Sequence, residues 1–220
     1  MSIKPASKWR SPSLLLALGL LNIASGAFQL FTINAGPVPV DPADMMASPQ
    51  YFETPLPIVL HIVCGIIFNL LAPWQFAPVV RQRWPKWHRL SGRFLVVCGL
   101  IAAFTALWMN QFFPVFGGIF KYIGVLVMSA GLIVSLICAV LAIRKRDISR
   151  HRIWMMCAIA FALAPATQRL IGLPIFLIQQ EINVPFVVFL IWSSLVVNLG
   201  FVWMLVRRER RRLAANRNAV

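Results

Sequence analysis

The stretch His61–Arg93, HIVCGIIFNLLAPWQFAPVVRQRWPKWHRLSGR, decides the fold. Its first half is an apolar run that carries one histidine, its second half a basic, tryptophan-rich segment that carries another, and Phe94 opens the next apolar run. An apolar run of about twenty residues, rising roughly 1.5 Å per residue as a helix, spans a hydrocarbon core of about 30 Å. Outward from this stretch the same alternation recurs along the whole chain. Composition agrees, because 60% of residues are hydrophobic and only 12% charged, whereas a soluble domain carries about 25% charged residues. A soluble fold could not build a water-facing surface from this supply. The expected fold is therefore all-α, a single integral-membrane bundle of six transmembrane helices.

The spans are expected at about residues 14–33, 58–80, 94–113, 122–143, 153–171 and 186–206, with a basic tail over 207–220. Span one follows a basic start and contains Ala24, Ser25 and Gly26, as a secretory signal would. Its apolar run continues through Phe28, Leu30 and Phe31, beyond the roughly 7–15 residues of a signal core, so an uncleaved helix is expected. Asn22, Ser25, Gly26 and Gln29 share one face of it, which should look into the bundle. Pro73 and Pro78 are expected to kink or end span two. The end of span five is open between Ile171 and a continuation past Gly172 and Pro174.

Charge distribution tests this layout. Three Lys or Arg precede span one, five follow span two, five follow span four and six follow span six, which is 19 of the chain's 21. Cationic residues are retained on the cytoplasmic side during insertion, so six spans with both termini cytoplasmic are expected. Four of the six acids, Asp41, Asp44, Glu53 and Glu181, fall on the opposite side. The net charge of +15 is thus a topology signal and gives no reason to expect nucleic acid. Its partners are the lipid bilayer and anionic headgroups, at about 1 kcal/mol per basic residue near the surface. Trp84 and Trp87, with Trp9, Trp154 and Trp203, fit an interfacial belt of a bacterial inner-membrane protein.

Cys64, Cys98, Cys138 and Cys157 lie within spans without a CxxC pairing. They read as packed thiols, and neither a metal site nor a redox role is expected of them. Gly117, Gly124, Gly131 and Cys138 recur every seven residues, which lets span four approach a neighbour closely.

Ionisable groups in apolar surroundings carry the functional reading. His61 and Arg169 both lie within roughly 10 Å of the outer boundary, counted by helical rise. An unpaired arginine there costs about 2.5 kcal/mol or more. Arg169 therefore needs an answer from Thr167, Gln168, Glu53, Glu181 or an anionic ligand, unless it snorkels to headgroups. Together His61 and Arg169 would line an outer polar site. At the inner face His88-Arg89 and His151-Arg152 each stand just before an apolar span, among the basic residues Arg81, Arg83, Arg89, Arg93 and Arg152. The plain alternative is that they are ordinary members of basic interfacial loops. The functional one is a cofactor site, with a single haem b held by His88 and His151 and the arginines answering its propionates. Three histidines do not suffice for two such haems, and His61 lies about a span's depth away.

His61 with Gly65, Pro73, Gln75-Phe76, Arg81, Arg83, His88-Arg89, Gly92-Arg93 and His151-Arg152 with Trp154-Met155 form a pattern. It resembles a family of bacterial polytopic membrane proteins known only as a domain of unknown function. The resemblance runs from span two to span five, with departures at Ala72, where it implies Gly, at Phe94, where it implies Tyr, and at Cys157, where it implies a further basic residue. It implies the fold and the choice of residues but no activity. The expected function is redox or cofactor handling, with haem or quinone at His88, His151 and His61. Its alternatives are a small transporter or proton pathway through His61 and Arg169, and an assembly scaffold. A membrane redox partner or a homo-oligomer is compatible with either.

Overall fold

The computed structural model describes residues 10–36, 49–113, 117–179 and 183–217. In chain order the helices are α1 (Arg10–Ala35), α2 (Gln50–Glu53), α3 (Pro55–Gln75), α4 (Pro78–Arg83), α5 (Pro85–Phe112), α6 (Gly118–Arg144), α7 (Ile148–Ala162), α8 (Ala164–Gln179) and α9 (Val184–Arg217). Six paths are long and apolar enough to cross a membrane: α1, α3, α5, α6, α7 continued by α8, and α9. The protein is an all-α integral membrane protein. Lys4, Lys8, Trp9, Asp41, Asp44 and Glu181 lie outside the described residues.

Lipid is the solvent of this bundle, so its outer surface is apolar. Phe31, Phe94, Val134, Ile178 and Val196 stand exposed, while Phe68, Leu95, Leu136, Ala139, Ala158 and Ile159 are buried in the centre. Neighbouring helices pair as α1 with α3, α3 with α5, α5 with α6, α6 with α7, and α7 and α8 with α9, and α8 returns to α1.

Prolines set several of the boundaries. Pro55, Pro78 and Pro85 each occupy the first turn of a helix, where the missing N–H would have no partner anyway. The basic segment expected as a loop before Phe94 is therefore mostly helical. The chain breaks at Phe76–Ala77, makes the short α4, turns at Trp84 and enters α5 at Pro85, so His88 and Arg93 ride on the first turns of the third span. Span five continues past Gly172 and Pro174 to Gln179. The tail continues α9 as a helix to Arg217.

The α6 glycines meet two different neighbours. A Cβ at Gly124 would lie 2.5 Å from Ile191 on α9, and one at Gly131 would lie 2.3 Å from the Phe161 ring on α7. Among the described residues Gly65 has open space instead. Gly131→Ala should accordingly destabilise the purified protein by about 1–3 kcal/mol through overpacking. Gly65→Ala should be neutral or stabilising by up to about 1 kcal/mol. Thermal unfolding in detergent distinguishes the two, and equal melting shifts would contradict this packing.

Candidate functional site

Two polar clusters sit at different depths. The first surrounds the interruption of span five. Pro165 has no N–H to give the carbonyl one turn back, and α7 stops at Ala162 before α8 resumes at Ala164. In hydrocarbon the carbonyls around such a break are answered by other protein groups. Asn198 of α9 donates to the Ala160 carbonyl at 2.9 Å, and Asn22 of α1 donates to the Ala162 carbonyl at 3.3 Å. Asn198 accepts in turn from Thr167 at 2.9 Å, and Gln168 reaches Ser194 at 3.3 Å. The Arg169 guanidinium, one turn beyond the break, gives Nη1 to the Asn22 amide oxygen at 2.9 Å and Nη2 to the Ser25 hydroxyl at 2.8 Å. Asn22 further reaches Asn69 at 3.4 Å, so α1, α3, α8 and α9 are tied around one kink.

His61 takes a different partner. Its Nδ1 lies 2.8 Å from the Ala102 carbonyl on α5, which also accepts from Thr105. A carbonyl can only accept, so Nδ1 carries the proton and Nε2 is the free lone pair. His61 thus belongs to the α3–α5 seam and Arg169 to the α1–α8 contact; no hydrogen bond joins them among the described residues.

The second cluster lies at the basic end of the bundle. A tight turn through Arg146, whose φ is 60°, reverses the chain after α6, and the Asp147 side chain caps α7 by accepting from the Arg150 N–H at 2.9 Å. That turn folds His151 back under α6, where its Nδ1 lies 2.9 Å from the Ala139 carbonyl. His151 is thereby held with Nδ1 protonated and Nε2 free. On the other side α5 presents His88, whose ionisable neighbours are Arg81, His151 and Arg89. His88 Nδ1 is the one buried side-chain nitrogen or oxygen without a partner among the described residues. His88 and His151 lie on the first turns of α5 and α7, near enough to influence each other electrostatically, while Arg83 and Arg93 on the same basic segment stand exposed. Beside this cluster Gln75 donates to Ser91 at 2.8 Å, and Gly92 leaves room for the Gln75 amide.

A lipid-facing groove of about 630 Å³ runs along α3 and α5 next to it, lined by Ile67, Leu70, Leu71, Leu90, Phe94 and Val97 among others, with Trp87, Ser91 and Arg93 at its basic end. Sequence reading placed the histidines and Arg169 and took Gln75 only as part of the family pattern, but overlooked Asn69, Asn198 and Ser91. Their signal was polarity inside an apolar run, the same one that marked Asn22.

Residues 58–206 match the model of a family described as Predicted membrane protein (DUF2306). No curated protein and no solved structure matches the chain.

Arg169 gives its hydrogen bonds to the neutral Asn22 and Ser25, so its removal leaves a half-buried amide and hydroxyl with fewer partners. Arg169→Leu should lower stability by about 1–3 kcal/mol, and Asn22→Leu by at least as much, since Asn22 also serves the span-five carbonyl. Melting in a fixed detergent measures both. Parent-like melting of Arg169→Leu would mean that the guanidinium merely reaches for headgroups.

Proposed function

The chain belongs to this family of predicted membrane proteins, and we propose that it is a redox protein of the bacterial inner membrane. In this reading it holds a cofactor between His88 and His151 at the cytoplasmic ends of α5 and α7. The observation that supports the reading is the state of the two rings. The Ala139 carbonyl fixes His151 with Nε2 free, which is how metal-ligating imidazoles are oriented by their outer partners. Opposite it, His88 keeps a buried nitrogen that nothing satisfies.

Two imidazoles on separate helices with cations nearby are the donor set that a haem b would take. When bound, the group would supply one-electron transfer, with its potential set by the axial ligands and their surroundings. The protein's part is to present the two imidazoles from separate helices, hold the His151 tautomer through Ala139, and place cations beside them. Arg81 and Arg89 neighbour His88, and with Arg83, Arg93 and Arg152 they offer charge-assisted hydrogen bonds to the carboxylates of the macrocycle. Ala139, whose carbonyl holds His151, is completely buried, as is Leu95 two turns along α5 from His88.

A quinone at the same histidines is the second reading. The groove favours it, because its basic-end wall, Trp87 to Arg93, is the turn of α5 that carries His88. Transport through His61 and Arg169 has less behind it, since each is bonded to a different helix.

Protein expressed with ample haem and purified in detergent should show, after dithionite, a Soret band with sharp α and β bands. Either His88→Ala or His151→Ala should remove the low-spin bands. Haem-replete expression that yields no such bands excludes haem and leaves the quinone, for which protection of His88 from modification by an added short-chain quinone is the corresponding measurement.

A further inference from the structure

A second pair of reactive side chains lies deeper, near the middle of α3 and α5. Cys64 and Cys98 are both free, only 8% and 4% exposed, and share one cluster with Ala102, Ile67 and Ile101. Both side chains pack into this one contact between α3 and α5. The helices approach closely because residue 99 is glycine; a Cβ there would lie 2.8 Å from the Phe68 ring. Two thiols packed into one small buried cluster across such a seam are placed for a bridge between the helices.

The surroundings define what can react with them. Apolar burial keeps out hydrophilic thiols and disulfides, so an electron acceptor has to come through lipid. The groove between α3 and α5 provides the approach. Its lining includes Ile67, which packs against the thiol pair, and Val97, which precedes Cys98, while Leu70, Leu71 and Phe94 extend it toward the basic end. An apolar channel of about 630 Å³ open to the bilayer suits a ring with an isoprenoid tail. A base is also at hand, because thiolate is the reactive form of cysteine. His61 stands one turn from Cys64 on the same face of α3, and its Nδ1 bonds the Ala102 carbonyl one turn beyond Cys98. Its Nε2 lone pair is thereby left to take a proton in this seam.

We propose that Cys64 and Cys98 form a redox-active dithiol that passes two electrons to a membrane quinone entering along the α3–α5 groove, with His61 as the base. Two S–H bonds break and one S–S bond forms. The two electrons and two protons end on the carbonyl oxygens of the quinone, which leaves as the hydroquinone. The inference goes beyond the His88–His151 reading and needs no cofactor there.

The test uses the full chain, reduced, freed of reductant and kept anaerobic in lipid nanodiscs, with decylubiquinone as the probe. Denaturing alkylation and intact mass count the thiols, peptide mapping locates any disulfide, and the hydroquinone is measured by its absorbance. The expected result is loss of two of the four thiols, one Cys64–Cys98 disulfide and an equal amount of hydroquinone. Cys64→Ala and Cys98→Ala should each abolish the reaction, whereas Cys138→Ala with Cys157→Ala should leave it intact. His61→Gln should slow it about a hundredfold, the usual worth of a general base. Four free thiols after prolonged exposure, or a disulfide elsewhere, overturns the proposal on the unaltered protein without recourse to any variant. The haem spectrum is a separate readout: disulfide without the optical bands supports the dithiol alone, and bands without disulfide overturn the dithiol while keeping the histidine pair.

Discussion

Backbone polarity in a solvent without hydrogen bonds is the constraint on which this structure depends. A helix crossing lipid satisfies itself, but span five is interrupted at Leu163 and followed by Pro165, and its carbonyls have to be answered from outside. Asn198 and Asn22 do so from two different helices. Once Asn22 is committed to that task, its amide oxygen is the natural acceptor for Arg169, and the guanidinium then reaches Ser25. One broken helix thus fixes the rotation of α1, which otherwise presents mostly apolar surface to lipid, and draws α9 against the same kink. The interaction is worth more than its distances suggest, because removing any one amide leaves a partner stranded in hydrocarbon rather than returned to water.

Much of this was legible in the chain. Apolar run length gives the six spans, and Asn22 with Ser25 on one helical face was enough to say that the face turns inward. Sequence sets depth well and rotation poorly. Rise counted from the expected span ends gives His61 and Arg169 similar depth and suggests a shared site, but the continuation of span five to Gln179 sets Arg169 deeper, roughly 15 Å from that end, and depth in any case says nothing about which neighbour a helix faces. A histidine can be satisfied by any carbonyl on an adjoining turn, and a carbonyl carries no sequence signature, so Ala102 was not foreseeable. The Cys64–Cys98 contact was hidden for the same reason, because no local spacing connects two positions that meet only when α3 lies against α5. The start of α5 was hidden differently: hydropathy falls before Phe94, but Pro85 at a first helical turn continues the helix into the charged segment.

The polar groups also sort by how completely they are satisfied. Around the span-five break the amides and hydroxyls donate and accept among themselves, which is what a structural network requires. The Gln75–Ser91 pair is equally closed, with Ser91 passing its own proton to the Trp87 carbonyl at 2.7 Å. The histidines differ. His61 and His151 each use one ring nitrogen on a backbone carbonyl and keep the other, while His88 leaves a buried nitrogen unmatched. Half-satisfied imidazoles are costly as architecture and useful as ligands or bases, which is why the functional reading rests on them and not on the better-connected Arg169.

The seam between α3 and α5 then acquires a particular character. From the basic end outward it holds Gln75 with Ser91, the thiols of Cys64 and Cys98, and His61 on the Ala102 carbonyl. The groove opens this same seam to lipid over the half toward the basic end. A molecule lying in that groove would therefore meet His88's turn at one end and the thiol pair near the other. Two helices whose contact is made of glycine and small side chains can carry reactive groups at several depths, because close approach brings those groups within bonding distance without a polar cavity that would have to be filled with water.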